Sequence, residues 1–534
     1  MRNPSSRRLN GPLAAADPEP TVPYPSRFWW LTRLSLLGLL LAAALAGLRG
    51  WWGWDARRRL DMELAPIIAA GWPVRAEDAL PGPVPERENA ADYLQRAIAA
   101  EAFGNTPAAS SYSFPDYPPF GAQWETLAAK SVTMNAPVFP LVRKARDYRR
   151  FNWGTIFRRP VIAILLPHLN NARQLANTVG DAAVYAHLHG DDAAALEMIR
   201  DLRHESAGVE VEPFMVSHLV GVGIEALADA RLQVIATGLT IAADEEVETA
   251  AGAGVGRAPL WATPNPAPRP ATRAQVRTLI AELLDERDAA DKIQYAWAGE
   301  RAMHLDMADW FGSMGPVVRP MFEHDALRML AYDRALVDAA AEPTWPAARA
   351  RLAAATAALA PTAPAPPIAS MTRWTTAPPA RRVPIDYTRL LSFNFLSGMT
   401  TGRATGQSLF VRAERRMGAV NLAAHLFRAD RGRWPEALDE LVPKYLPAVP
   451  RDPLAADDRP LGYVLAKAAL PDGGDRPVVY SVGRDGVDQT MGNATALPKL
   501  PSFGWQQTAD EWRDIARWAP PASATRPSTQ AVTQ

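Results

Sequence analysis

Eight histidines and no cysteine set the terms of any metal chemistry in this chain of 534 residues. Without thiols there is no disulfide, no thiolate zinc site, no iron–sulfur ligation and no cysteine nucleophile. What remains is imidazole and carboxylate. His187, His189 and His204 with Asp191 and Asp192 make the densest group. Side chains two apart point to opposite sides of a helix, so His187 and His189 share an ion only on irregular backbone, and ordinary helix-end histidines are the plainer reading. His168 and His218 lie beside apolar positions and read as satisfied core residues. His324 and Asp325 with Glu323, and His304 with Asp306, offer acid and base types without a nucleophile motif.

No Gly-x-Ser-x-Gly elbow, P-loop, dinucleotide fingerprint or His-Glu-x-x-His is present. An enzyme whose site is assembled from distant residues stays open, since such a site leaves no local motif. The basic run Arg143, Lys144, Arg146, Arg149, Arg150, Arg158 and Arg159, interleaved with Tyr148, Phe151 and Trp153, has the residue types that meet anionic headgroups or nucleic acid. A solvated helix face pairing with acidic neighbours uses the same types.

Any such residues need elements to hold them, and composition bounds those elements. Lys+Arg 57 balance Asp+Glu 57, which excludes the charge excess of a general nucleic-acid binder. At about 150 residues per domain the length corresponds to about three units with real cores.

One element is plain. The 27 positions from Phe28 to Trp54 hold an apolar stretch with no charge between Arg33 and Arg49. As a helix they span roughly 40 Å, a bilayer with its headgroup zones. Trp29 and Trp30 mark one rim and Trp51, Trp52 and Trp54 the other, with Arg33 and Arg49 able to snorkel outward. Ala44-Leu45-Ala46 before Gly47 also fits a signal-peptide cleavage site. The long polar leader and the second tryptophan belt favour an uncleaved, single-pass anchor, with Arg57 to Arg59 juxtamembrane.

Beyond the anchor the chain reads as helical. Pro81-Gly82-Pro83-Val84-Pro85 predicts an extended stalk, with a helix starting near Glu86 and residues 104 to 120 as a loop. Leu169, Ala172, Ala176, Val179, Ala183 and Ala186 fall on one helical stripe whose small residues imply close helix contact. Gly190 and Asp191 break that helix and cap the next, Asp192 to Ser206, with Ala195, Ile199 and Leu202 on its stripe. Pro213 suits the first turn of a third helix carrying Val216, Val220, Ile224 and Leu227. This hairpin array has a tetratricopeptide-like outline without that family's repeat of about 34 residues. Proline-rich segments near 259–270 and 361–379 act as connectors.

From 401 to 495 the pattern changes. A helix with Leu409, Ala413, Met417, Val420, Ala424 and Phe427 on one face ends at Asp430-Arg431-Gly432, where glycine takes the left-handed cap. Prolines at 435, 443, 447, 450 and 453 pin a short helix between turns. Leu461 to Ala466 and Pro477 to Val482 read as strands joined through Pro471-Asp472-Gly473-Gly474. The run from Phe427 to Pro435, the block Leu441-Val442-Pro443-Lys444-Tyr445-Leu446-Pro447, then Pro450-Arg451-Asp452-Pro453 and Tyr480-Ser481-Val482-Gly483-Arg484-Asp485-Gly486 stand in order. Together they resemble the globular domain of the major (G-type) pseudopilin of type II secretion systems. The resemblance covers about a sixth of the chain. It implies a small α+β domain facing the periplasm, hence the amino terminus inside, and a calcium ion held by oxygens of the closing loop, where Asp485 and Asp488 stand. An Asp485-Gly486 turn facing solvent is the other reading of those residues. The pseudopilin cleavage and methylation motif is not next to this helix, and Met491-Gly492-Asn493-Ala494 stands where further acidic residues occur in the family. The stretches 165–169 and 219–226 also look like uncharacterised families of bacterial anchored proteins carrying such a tail.

The expectation is therefore a mainly α protein: a polar tail over 1–27, a transmembrane helix over 28–54, an α-helical hairpin array over 55–400, a small α+β pseudopilin-like domain over 401–495, and a largely disordered tail over 496–534. The expected role is a non-enzymatic, extracytoplasmic protein of the bacterial inner membrane that works through protein contacts. Its partners would be the bilayer and other proteins, with no nucleic acid and no cofactor beyond the calcium the resemblance implies. An accessory of a type II secretion or pilus-like system and an envelope hydrolase with a non-local site are the alternatives.

Overall fold

The computed structural model describes residues 28–102, 120–242, 268–359, 403–467, 474–483, 485–488 and 515–517. The leader 1–27, the expected loop over 104–119, the connectors 259–267 and 361–379, the turn at 471–473, residues 491–494 and the tail from 496, apart from 515–517, lie outside the described residues. The chain divides into two compact units, residues 1–55 and 56–534.

The first unit holds the apolar part of helix α1 (Trp29–Ala69), the one described helix long and apolar enough to cross a membrane. Its leucines from Leu34 to Leu48 stand exposed. Arg33 lies over the Trp29 ring at 4.1 Å and Arg49 over Trp52 at 4.8 Å, cation–π contacts that fold each cation onto a rim aromatic.

In the second unit α1 continues from Ala56 to Ala69, well past the expected end at Trp54. Asp55 to Leu64 is Ala, Arg, Leu, Met and acids, good helix formers with no glycine, and nothing in them stops a helix already started. Arg57 Nη2 lies 2.7 Å from Glu323, and Glu63 lies 2.9 Å from Arg334.

The body is helical: α2 (Ala76–Ala79), α3 (Ala90–Ala100), α4 (Ala122–Met134), α5 (Val138–Ala145), α6 (Pro167–Leu188), α7 (Asp192–Val209), α8 (Met215–Ala236), α9 (Arg273–Leu284), α10 (Ala289–Gly312), α11 (Arg319–Ala340), α12 (Trp345–Leu359) and α13 (Arg403–Arg431). The expected stalk is extended but not free, because Asn152 Nδ2 donates to the carbonyls of Pro81 and Gly82. The helix expected near Glu86 begins as a short 3-10 turn at Glu86–Glu88 and becomes α only at Ala90, capped by Asn89. The α6–α7 break is as the sequence reads. Gly190 takes φ +84°, and the Asp191 side chain accepts from the Ala194 N–H.

Helix α8 starts at Met215, two residues after Pro213, and turns differently from its apolar stripe. Val216 is 50% exposed while Ser217, His218, Val222 and Ile224 are buried. Polar residues take buried positions here because neighbouring helices supply their partners.

A continuous core joins α3 to α9 and includes α13 through Met417, Val420, Ala423, Leu426 and Phe427. The helix of the 401–495 segment thus shares its apolar face with the helical array. After Gly432 (φ +72°) come a 3-10 turn at Leu438–Leu441 and the strands β1 (Gly462–Ala466) and β2 (Arg476–Ser481). These pair antiparallel with Tyr463 opposite Val479, and β3 (Ile515–Arg517), within the segment expected to lack structure, adds antiparallel to β2.

Candidate functional site

The two residues of the expected calcium loop serve other groups. Asp485 accepts from the Val487 N–H at 3.1 Å, closing the turn through Gly486 at φ +72°. Asp488 lies 3.0 Å from the Arg459 guanidinium. What orders the segment is Asp452, whose buried carboxylate accepts from Leu454 N–H and Val482 N–H, both at 2.9 Å, and from Ser481 Oγ at 2.8 Å. Burial raises its pKa, against the three donors, which favour the anion.

The densest histidine group does not converge. His187 pairs with Asp192, His189 lies 3.1 Å from Glu125, and His204 Nε2 meets the Ala145 carbonyl at 2.9 Å. No set of three metal-ligating side chains comes together among the described residues. His168 is a satisfied core residue: its Nε2 is 2.9 Å from Glu212 and its ring stacks on Trp153 with centroids 4.8 Å apart. Glu212 also takes hydrogen bonds from Thr155 and Ser217, so this Ser, Glu and His constellation has the acid in the middle and is no nucleophile relay. His304 pairs with Asp333 at 3.1 Å, while Asp306 pairs with Arg159.

The basic run divides between acidic partners and the surface. Arg143 makes a bidentate pair with Asp201, Arg146 bridges Asp201 and Glu197, and Lys144 meets Asp147. Two of its three aromatics, Phe151 and Trp153, are buried, and Tyr148 is half-buried.

The grouping that the sequence does not announce lies between α7, α8, α9 and α13. Arg203 of α7 and Arg415 of α13 approach the same oxygen of Glu225, at 3.7 and 3.8 Å, and Arg203 also stands 3.8 Å from Asp229. Both guanidiniums donate to the Glu282 carbonyl, and Arg415 also to that of Asp285 at 2.8 Å. Asp229 is 3% exposed, and burial pushes its carboxyl up to about 8, with Arg203 pulling the other way. Burial lowers Arg203. Beside this group Glu210 is held down at about 2: burial opposes the anion, but Lys292 at 2.8 Å and the His218 ring at 3.1 Å overcome it. Such an assembly gathers acidic and basic side chains where water does not reach. Its members come from α7, α8 and α13, so these contacts link three helices.

Its only sequence trace is placement. Glu225 and Asp229 are four apart beside Ile224 and Leu232, and Glu414 and Arg415 interrupt the apolar face of α13. Comparison of the chain with protein-family models, curated proteins and solved structures finds no match.

Proposed function

We propose that this protein is a single-pass, membrane-anchored scaffold of a bacterial envelope, with its amino terminus inside, residues 56–534 in the periplasm, and a role exercised through protein contacts rather than catalysis. The observation that carries the reading is the exposed apolar helix from Leu34 to Leu48 between two tryptophan rims. The close approach of Arg203, Glu225, Asp229 and Arg415 between helices supports the non-catalytic part, because these side chains face one another inside the helical body.

A second reading, an accessory of a type II secretion or pilus-like system, draws on the order of a long helix, a short 3-10 turn and an antiparallel β1–β2 pair in the segment that resembles a pseudopilin. Crosslinking the native protein from outside the inner membrane, followed by identification of what is captured, separates the two. Pseudopilins or secretion components among the captured proteins favour the second reading, and other envelope proteins favour the first. Absence of labelling from that side would overturn the orientation.

A further inference from the structure

Residues 155–166 alternate between two surroundings. Val161 is buried, and Phe157 and Ile164 pack with it against Met307 and Phe311 of α10 and Met329 of α11. Next to them in the chain Ile156, Ile162 and Leu165 are 69, 69 and 70% exposed. At the tip that joins α10 to α11, Met314 and Val317 are 63 and 72% exposed. Single exposed aliphatics are ordinary on a protein surface, but a group of them gathered at one end is not.

These residues do share one end. Val161 and Phe311 belong to one apolar cluster; Phe311 stacks on Phe322 with centroids 5.2 Å apart; the tip lies between those two phenylalanines in sequence; and Glu323, next in line, holds Arg57. The pairs Arg57 with Glu323 and Glu63 with Arg334 show residue numbers rising together along α1 and α11. The tip is therefore at the end of the hairpin where the chain enters this unit. Arginines stand next to these segments in the chain: Arg57, Arg58, Arg59 and Arg158 are exposed, and Arg159 and Arg319 are 43 and 45% exposed while also touching Asp306, Asp309 and Glu323.

We infer that this end of the second unit seats on the bilayer: Ile156, Ile162, Leu165, Met314 and Val317 enter the acyl boundary, and the arginines around them meet anionic headgroups. Lipid is the occupant favoured because the chain enters this unit at Ala56, two residues after the last tryptophan of the apolar stretch, and because arginines accompany the exposed aliphatics in the chain. Separate aliphatic knobs also suit a fluid boundary better than a shaped protein partner. The inference rests on the anchor reading proposed above.

The absence of native cysteine makes the test clean. Full-length variants Leu40→Cys, Ile162→Cys, Val317→Cys and Asp457→Cys each carry an environment-sensitive fluorophore, in vesicles of phosphatidylethanolamine and phosphatidylglycerol containing spin-labelled lipid. Asp457 is the aqueous reference. Trp345, beyond the opposite end of α11, bonds to Pro453, and a helix of this length puts about 30 Å between its ends. The expected result is strong quenching at 40 and, at 162 and 317, at least about twofold more than at 457, as for side chains sunk about 5–10 Å into the interface. Quenching at 162 and 317 no greater than at 457, with 40 quenched, overturns the seating face and leaves the anchor. Blue-shifted but unquenched probes at 162 and 317 mean that protein covers the face, which also overturns it. An unquenched probe at 40 overturns the anchor and the seating together.

Discussion

Gly299 of α10 faces the carbonyl oxygen of Pro213 so closely that a Cβ at position 299 would stand 1.7 Å from it. The backbone of α10 and the turn into α8 therefore touch directly, and this position is closed to every other residue. Gly299→Ala is expected to cost about 2 to 3 kcal/mol, the scale of overpacking in a fitted core. Gly223→Ala, on α8 with nothing within 4 Å, is the control and should be neutral or gain about 0.5 to 1 kcal/mol from helix propensity. Unfolding midpoints of the two variants check both.

Asp229 and Glu210 predict opposite responses to pH. Asp229, at about 8 when folded against about 3.9 unfolded, contributes stability that is full below its unfolded value and is lost as pH rises through the folded one. Asp229→Asn should therefore gain on the parent between about pH 5 and about pH 8. Glu210, lowered to about 2, contributes stability that is present above its unfolded value and disappears as pH falls toward 2. Glu210→Gln should be most damaging at neutral pH. Denaturant titrations across the range would show the two trends crossing, and parallel curves would reject the assignment.

Asp452 ties the loop at 452–454 to the end of β2. Asp452→Ala leaves the Leu454 and Val482 N–H groups and the Ser481 hydroxyl without their acceptor. A cost of about 3 kcal/mol is expected from the donors left unsatisfied. Limited proteolysis should then cut between 452 and 488 while the helical body survives. Resistance equal to the parent would count against this role.

Calcium is expected to leave the unfolding temperature unchanged at about 1 mM, the range of weak extracellular sites, because Asp488 already holds Arg459. A rise that disappears in Asp485→Ala would instead establish the ion that the pseudopilin resemblance implies.

Much of the scaffold is legible in the sequence. The stripe from Leu169 to Ala186 is buried apart from the packing detail around it, Gly190 and Gly432 sit at positive φ where each ends a helix, and both strands fall within a residue of their expected limits. Such features are local: a small-residue stripe, a left-handed glycine and an alternating apolar run carry their own physics. The charge group around Glu225 was not legible, because Arg203, Asp229 and Arg415 each look like part of a solvated helix face until packing removes the water. For Arg143 and Arg146 pairing with acidic neighbours is one of the two sequence readings, but which acids serve is settled only by packing, since Asp201 and Glu197 lie on a different helix. Val216 misled in the other sense, an apolar residue at the right spacing that faces out.

The place of α13 in the core has a consequence for the order in which the protein can be made. Helices α6, α7 and α8 follow one another closely and can pack as they emerge, since short connections close at little entropic cost. Leu232 of α8 and Leu283 of α9, however, lie beside Gly418 of α13. Their cover is synthesised well over a hundred residues after them. Until about residue 431 has been delivered, the half-built body presents an open apolar seam, the kind of surface on which chaperones hold nascent chains. A ribosome stalled before α13 should therefore display a chaperone-bound intermediate, and one stalled after it a closed domain.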